Sequence, residues 1–297
     1  MSMKFIRYEG KRGTDLGVMT RDESGVVSLR DVLPNKAFAD MTRMIEEIRG
    51  DELTLLQLVP DGYDKYPVEK LENVRVLAPI EKPVHDVICI GVNYRAHGEE
   101  TGVIREAKFD QPDPIFFGKR AIRILGSGDE VDFRSDIDPE LDYEAELAVI
   151  IGKRCKDVAK EDAESVIFGY SVFNDYSSRK LQRQHVQWMR GKSLDTYTAM
   201  GPCIVYKSDV AFPPALHICS RLNGEARQDS NTDLLINDIP TLISTISAGL
   251  TLEPGDIIAT GTPAGVGMGM DPPTYMEHGD TIECEIEGIG TLTNHIK

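Results

Sequence analysis

The chain has 297 residues, 41% of them hydrophobic and 28% charged, with a formal net charge of −16. That size supports one large domain, or a large and a small one, around a well-buried core. The carboxylate surplus repels phosphate backbones and no basic patch offsets it, so nucleic-acid binding is excluded as a function class.

Residues 1–78 read as a small α+β domain. Short alternating stretches at Lys4–Tyr8, Leu16–Thr20 and Val26–Leu29 are punctuated by Gly13 and by Ser24-Gly25. Met41, Met44, Ile45 and Ile48 recur at helical spacing, and Pro60 to Pro67 reads as a loop. Residues 79–297 form a second, strand-rich domain. Val87–Ile90 is uniformly apolar and ends at Gly91, the pattern of a buried strand. Leu141 to Ile151 alternates, with Leu141, Tyr143, Ala145, Leu147 and Val149 on one face. Val166–Phe173 is a further apolar run that leads into Asn174-Asp175, and Ser177-Ser178 caps a helix over Arg179–Gln182. Asn223-Gly224 tolerates positive φ at both positions and predicts a hairpin between Leu216–Leu222 and Glu225–Ser230. Ile239-Pro240 opens a helix carrying Leu242, Ile243 and Ile246, and strands follow at Ile257–Ala259 and Thr281–Ile286. Many short strands with few helices predict a β-rich α+β fold with a closed or rolled sheet.

No apolar run approaches the roughly 20 residues of a membrane span, and the start Met-Ser-Met-Lys-Phe-Ile-Arg is charged too early for a signal peptide. Cys89, Cys155, Cys203, Cys219 and Cys284 are odd in number and lack any Cys-x-x-Cys pair. Reduced thiols in a cytoplasmic protein are expected, not a disulfide framework or a zinc site.

Glu144 and Glu146, two apart in a strand, point to the same face, and Asp142 extends the row. Spacing alone serves a solvated face equally well, which is the reading for Glu283, Glu285 and Glu287. Asp175 adds weight because it ends an apolar run, where a strand opens into a site. Three such carboxylates suit a hard divalent ion that keeps several waters. His97 follows a buried strand, and Glu100 falls one helical turn beyond it. A histidine oriented by a carboxylate can serve as a general base, although a surface histidine beside charges is the commoner case. Arg179 and Gln182 share a helix face at i, i+3. Lys192 lies in a glycine-containing turn and reads by itself as a surface lysine. Gly261 to Gly269 is glycine-rich, but Asp271-Pro-Pro273 stands where a dinucleotide fold needs a helix. A turn offering N–H groups and Thr262 to an anion fits better. Trp188 reads as packing.

In order, Gly91-Val-Asn-Tyr-Arg-Ala-His97, Pro114-Ile-Phe-Phe-Gly-Lys119, Asp142-Tyr-Glu-Ala-Glu-Leu147 and Phe173-Asn-Asp-Tyr-Ser-Ser-Arg179 resemble the fumarylacetoacetate hydrolase family. The likeness continues through Gly191-Lys-Ser-Leu-Asp195, Leu222-Asn-Gly-Glu225 and Gly255-Asp-Ile-Ile-Ala-Thr-Gly-Thr-Pro263. The resemblance runs from about residue 80 to the end of the chain. It implies a β-roll-like catalytic domain, a homodimer, and magnesium or manganese held by Glu144, Glu146 and Asp175. It also implies His97 with Glu100 as the base dyad on a mobile lid, Lys192 beside the substrate, and Arg179, Gln182 and Thr262 as its polar contacts. The first 78 residues resemble the small extra domain of many bacterial members.

The implied substrate is a small 2-oxo acid. Hydrolysis of an acylpyruvate- or fumarylpyruvate-type C–C bond, with release of pyruvate, ranks first. Oxaloacetate decarboxylation ranks second, and a keto–enol or hydroxymuconate-type isomerisation third, because all three share an enolate. A non-catalytic, metal-binding dimeric scaffold is the alternative of another class.

Overall fold

The protein is described by a computed structural model covering residues 2–102 and 113–297. Apolar runs without polar alternation need cover on both faces, and the strands Ala145–Ile151 and Ile167–Asn174 have it along their whole length. They pair antiparallel, with Ala145 opposite Asn174 and Glu146 opposite Phe173. Along Ala145–Ile151 the odd positions Ala145, Leu147, Val149 and Ile151 enter one core cluster, and Ala148 and Ile150 enter the other. This is the period-two division that the sequence predicts.

Among the described residues these strands sit within an eleven-stranded sheet. On one side Ile257–Ala259 pairs with Ala145–Ile151 and runs parallel to Val87–Gly91, beyond which Ile115–Lys119 forms the edge. On the other side Ala199–Tyr206 pairs with Ile167–Asn174 and then with the N-terminal strand Lys4–Gly10, Lys4 lying opposite Val205. The sheet therefore continues across residues 78 and 79 without a break. A five-stranded sheet built around His217–Leu222, Thr281–Ile286 and Gly290–Ile296 covers one face, contributing Ile218, Ile282, Cys284 and Leu292 to the core.

Local expectations hold where local chemistry decides. Asn223 and Gly224 adopt φ of 54° and 80° at the predicted hairpin. The helix Met41–Glu47 is capped by Asp40, whose side chain accepts from the Arg43 N–H, and it buries Met41, Met44 and Ile45. The stretch from Pro60, expected as a loop, is instead a helical turn, Val59–Gly62, then a 3-10 turn, Tyr63–Lys65. Proline is tolerated in a first turn, so it does not forbid this. Leu242, Ile243, Ile246, Ile257 and Ile258 are all buried within the chain. Their apolar surface, which the sequence could assign to a dimer contact, is internal core. In Thr281–Ile286 the apolar residues face the core while Glu283 and Glu285 stay half-exposed, Glu285 pairing with Arg221. Among the described residues no helix is long and apolar enough to cross a membrane.

Candidate active site

The register of the two central strands creates the acidic cluster. Asp175 follows the end of Ile167–Asn174, and its N–H donates to the Glu144 carbonyl over 3.0 Å. The Glu144 N–H in turn donates to Asn174 Oδ1 over 3.0 Å. Glu144 and Glu146 share the face that this brings beside Asp175, and ligand oxygens of the three lie within 4.8 Å of one another. All three are buried, at 5%, 1% and 0% exposure.

Three buried cations surround them. Lys192 Nζ lies 2.5 Å from Glu144 Oε2 and 2.8 Å from Asp175 Oδ2. Lys119 Nζ lies 2.6 Å from Asp175 Oδ1 and also donates to the carbonyls of Tyr176 and Lys192. Arg179 spans two carboxylates, Nη2 at 2.7 Å from Glu144 Oε1 and Nε at 2.8 Å from Asp142 Oδ2, and donates to Gln182 Oε1 over 3.0 Å. Burial alone would raise the Glu144 carboxyl, but Lys192 and Arg179 outweigh it and hold it well below the ordinary range. Burial would likewise strip Lys192 of its proton, and Asp175 and Glu144 reverse that.

Glu146 behaves oppositely. Burial, then the charges of Asp175 and Glu144, push its carboxyl well above the ordinary range, and the Gly261 N–H donates to its Oε2 over 2.8 Å. A carboxyl crowded by like charges in a dry site favours its neutral form unless a cation comes close to it. The donor set is all hard oxygen, so a divalent cation fits, held by Glu144, Glu146 and Asp175.

His97 lies in the helix Arg95–Glu100, which follows the strand ending at Gly91. Its Nδ1 is 2.9 Å from Glu100 Oε1, and Glu100 Oε2 accepts the Gly265 N–H over 3.0 Å. The segment expected to form a mobile lid thus packs against the glycine-rich loop, with His97 7% exposed. A Cβ on Gly269 would stand 2.5 Å from Glu100 Oε2, so a side chain there would make the Glu100 carboxylate shift from this seat. The Gly267 and Met268 N–H groups donate to Asp142 over 2.7 and 3.0 Å. The glycine-rich loop does present N–H groups to anions, but those anions are the chain's own Glu146, Glu100 and Asp142. Thr262 spends its hydroxyl proton on the Ala145 carbonyl and accepts from Gln228 Nε2 at 2.6 Å.

A cavity of about 340 Å³ opens over the cluster. Of the nine site residues read from the sequence, His97, Glu144, Glu146, Arg179, Gln182, Lys192 and Thr262 line it. Asp175 and Glu100 stand behind, bonded to lining residues. Trp188 packs edge-on against Phe117, as expected of a packing residue, and also walls the cavity. Sequence reasoning assigned no role to Lys119, and it missed Gln228 and the Asp142–Arg179 pair. A lysine ending an apolar strand was the one available signal for Lys119.

Lys119→Met leaves Asp175 Oδ1 and two buried carbonyls without this donor. Breaking a buried pair from one side costs about 3–5 kcal/mol, so urea unfolding of the metal-free variant is expected to show a loss of that size. A loss under about 1 kcal/mol, the worth of an exposed pair, would contradict the role.

Residues 86–297 match the family model described as fumarylacetoacetate (FAA) hydrolase, C-terminal. The oxaloacetate tautomerase YisK of Bacillus subtilis is 47% identical over 227 residues, covering 76% of this chain and 74% of that protein. The solved fumarylacetoacetate hydrolase of the psychrophile Exiguobacterium antarcticum is 37% identical, with a TM-score of 0.85 over 99% of both chains. Maleylpyruvate hydrolase of Sphingobium sp. SYK-6, solved with manganese(II) and pyruvate, is 30% identical, with a TM-score of 0.78 over 99% of this chain and 98% of that one. By the family model over residues 86–297 and the identity to these relatives, the chain belongs to the fumarylacetoacetate hydrolase family.

Proposed function

We propose that the chain is a magnesium- or manganese-dependent tautomerase that interconverts the keto and enol forms of oxaloacetate. One observation carries the reading: a histidine seated by a carboxylate on the same cavity as three converging buried carboxylates. The tautomerase relative supports isomerisation over the C–C hydrolysis ranked first from sequence. The manganese in the Sphingobium enzyme's structure and the all-oxygen donor set support the choice of ion.

When bound, the cation supplies electrophilic pull on a 2-oxo oxygen and neutralises its growing charge. The protein's own groups do the rest. His97, its Nδ1 side fixed by Glu100, presents Nε2 to take a proton from C3. Lys192, held charged by Glu144 and Asp175, stabilises negative charge on the enolate oxygen. That oxygen takes a proton from solvent on release, and His97 gives the C3 proton up to solvent, so the net change moves one proton from C3 to oxygen. The apolar walls from Ile90, Phe117, Trp188 and Met268 limit water.

The test follows the enol's ultraviolet absorbance with oxaloacetate and magnesium or manganese, with pyruvate measured in parallel. Accelerated tautomerisation without matching pyruvate release is expected. Pyruvate formed at the same rate would mean decarboxylation, and faster cleavage of an acylpyruvate would restore hydrolysis. A rate no better than metal-loaded buffer in every assay would leave the metal-binding scaffold.

A homodimer acting in the cytoplasm completes the proposal. The edge strand Ile115–Lys119 leaves Ile115 and Phe116 each 41% exposed, an apolar edge that another surface should cover. Light scattering is expected to give twice the 33.0 kDa chain mass, and Phe116→Glu to shift it toward the monomer.

A further inference from the structure

Among the described residues five basic side chains line the cavity: His97, Arg179, Arg183, His185 and Lys192. Three are committed. Arg179 is held by Asp142 and Glu144, Lys192 by Glu144 and Asp175, and His97 by Glu100. Arg183 and His185 stand apart, on the last turn and at the C-terminal cap of the helix Arg179–Gln184.

We infer that Arg183 and His185 form a subsite for a carboxylate at the far end of a 2-oxo acid, which selects dicarboxylates over monocarboxylates; this rests on the reading of the site as one for 2-oxo acids. A second carboxylate cannot settle on the floor, where Glu144 and Glu146 face the cavity and Asp175 lies behind them. In the largely apolar wall of Ile90, Phe117, Trp188 and Met268 the Trp188 indole N–H is the one side-chain donor, and it brings no positive charge to a carboxylate, which is disfavoured there. Arg183 does offer donors. Its Nη2 is held by Glu140 Oε2 at 2.5 Å, in a pair whose side chains are 54% and 24% exposed. Tyr275 also hydrogen-bonds the Arg183 side chain. Such exposed contacts hold weakly, and a guanidinium has five N–H donors, so Glu140 and Tyr275 leave donors over. His185, two residues further on, is exposed on the same cavity and can add a donor from a ring nitrogen. The arrangement divides the work: the floor takes the 1-carboxylate and 2-oxo group common to all candidates, and the helix end reads what distinguishes them.

The test is calorimetry of the manganese-loaded protein with oxaloacetate and with pyruvate, which carries the same head and no distal carboxylate. The wild type is expected to bind oxaloacetate at least about tenfold more tightly, the scale of charge-assisted hydrogen bonds. Arg183→Gln with His185→Gln should erase that preference while pyruvate binding stays within about twofold, and Arg183→Lys should keep part of it. An unchanged preference in the double variant overturns the subsite, as does an equal loss for both ligands. Turnover is scored separately: a wild type that prefers oxaloacetate but does not tautomerise it retains the subsite and sinks the proposed reaction.

Discussion

Glu146→Ala is expected to abolish binding of the divalent cation without harming the metal-free fold. Changes one shell out from a metal typically cost about 10–100-fold in affinity, so loss of one of three protein ligands should exceed about 100-fold. Manganese titration followed by electron paramagnetic resonance reads this directly. The stability of the variant is the sharper point. In the metal-free protein the Glu146 carboxyl is disfavoured by burial and by Asp175 and Glu144. Its removal relieves that crowding and leaves a small cavity and one unpaired Gly261 N–H. The unfolding midpoint of the metal-free variant is therefore expected at or above that of metal-free wild type. Manganese affinity retained within about tenfold would remove Glu146 from the ligand set, and a marked fall in stability would show that its carboxyl is structural.

His97→Asn is expected to lower turnover by about two to four orders of magnitude, the usual share of general-base catalysis. Metal affinity should not change, because His97 bonds Glu100 and not the acidic cluster. Glu100→Gln separates orientation from basicity. It keeps a hydrogen bond to His97 but weakens the charge-assisted seat on the Gly265 N–H. It should therefore slow turnover less than loss of the histidine does. Steady-state rates and manganese titration on the two variants check both statements. Equal turnover in His97→Asn and wild type would place the base elsewhere.

Several features were legible because they depend on near neighbours in the chain. Asn223-Gly224 turns as it must, the helix Ile239–Ser247 opens with proline in its first turn, and Ser178 caps the helix after it. Period-two spacing put Glu144 and Glu146 on one face, and the apolar run before Asp175 placed that carboxylate at a strand end. The whole set of nine residues came together around one cavity, with Asp175 and Glu100 just behind its wall.

What the sequence determined by itself was which residues share a strand face, a turn or a cap, since those follow from backbone geometry over a few residues. Only the tertiary structure decided which acidic row is buried and converges with a third carboxylate. Glu144-x-Glu146 and Glu283-x-Glu285 have the same spacing, yet the first is buried against Asp175, Lys192 and Arg179 while the second stays half-exposed with Arg221. The same holds for Lys119, which reads as the last residue of an edge strand and is in fact fully buried on Asp175. Leu242 and Ile258 could have faced a partner and instead fill the core. Spacing is local, whereas burial and charge neutralisation depend on segments as much as 165 residues apart, Glu100 and Gly265, meeting in one dry place.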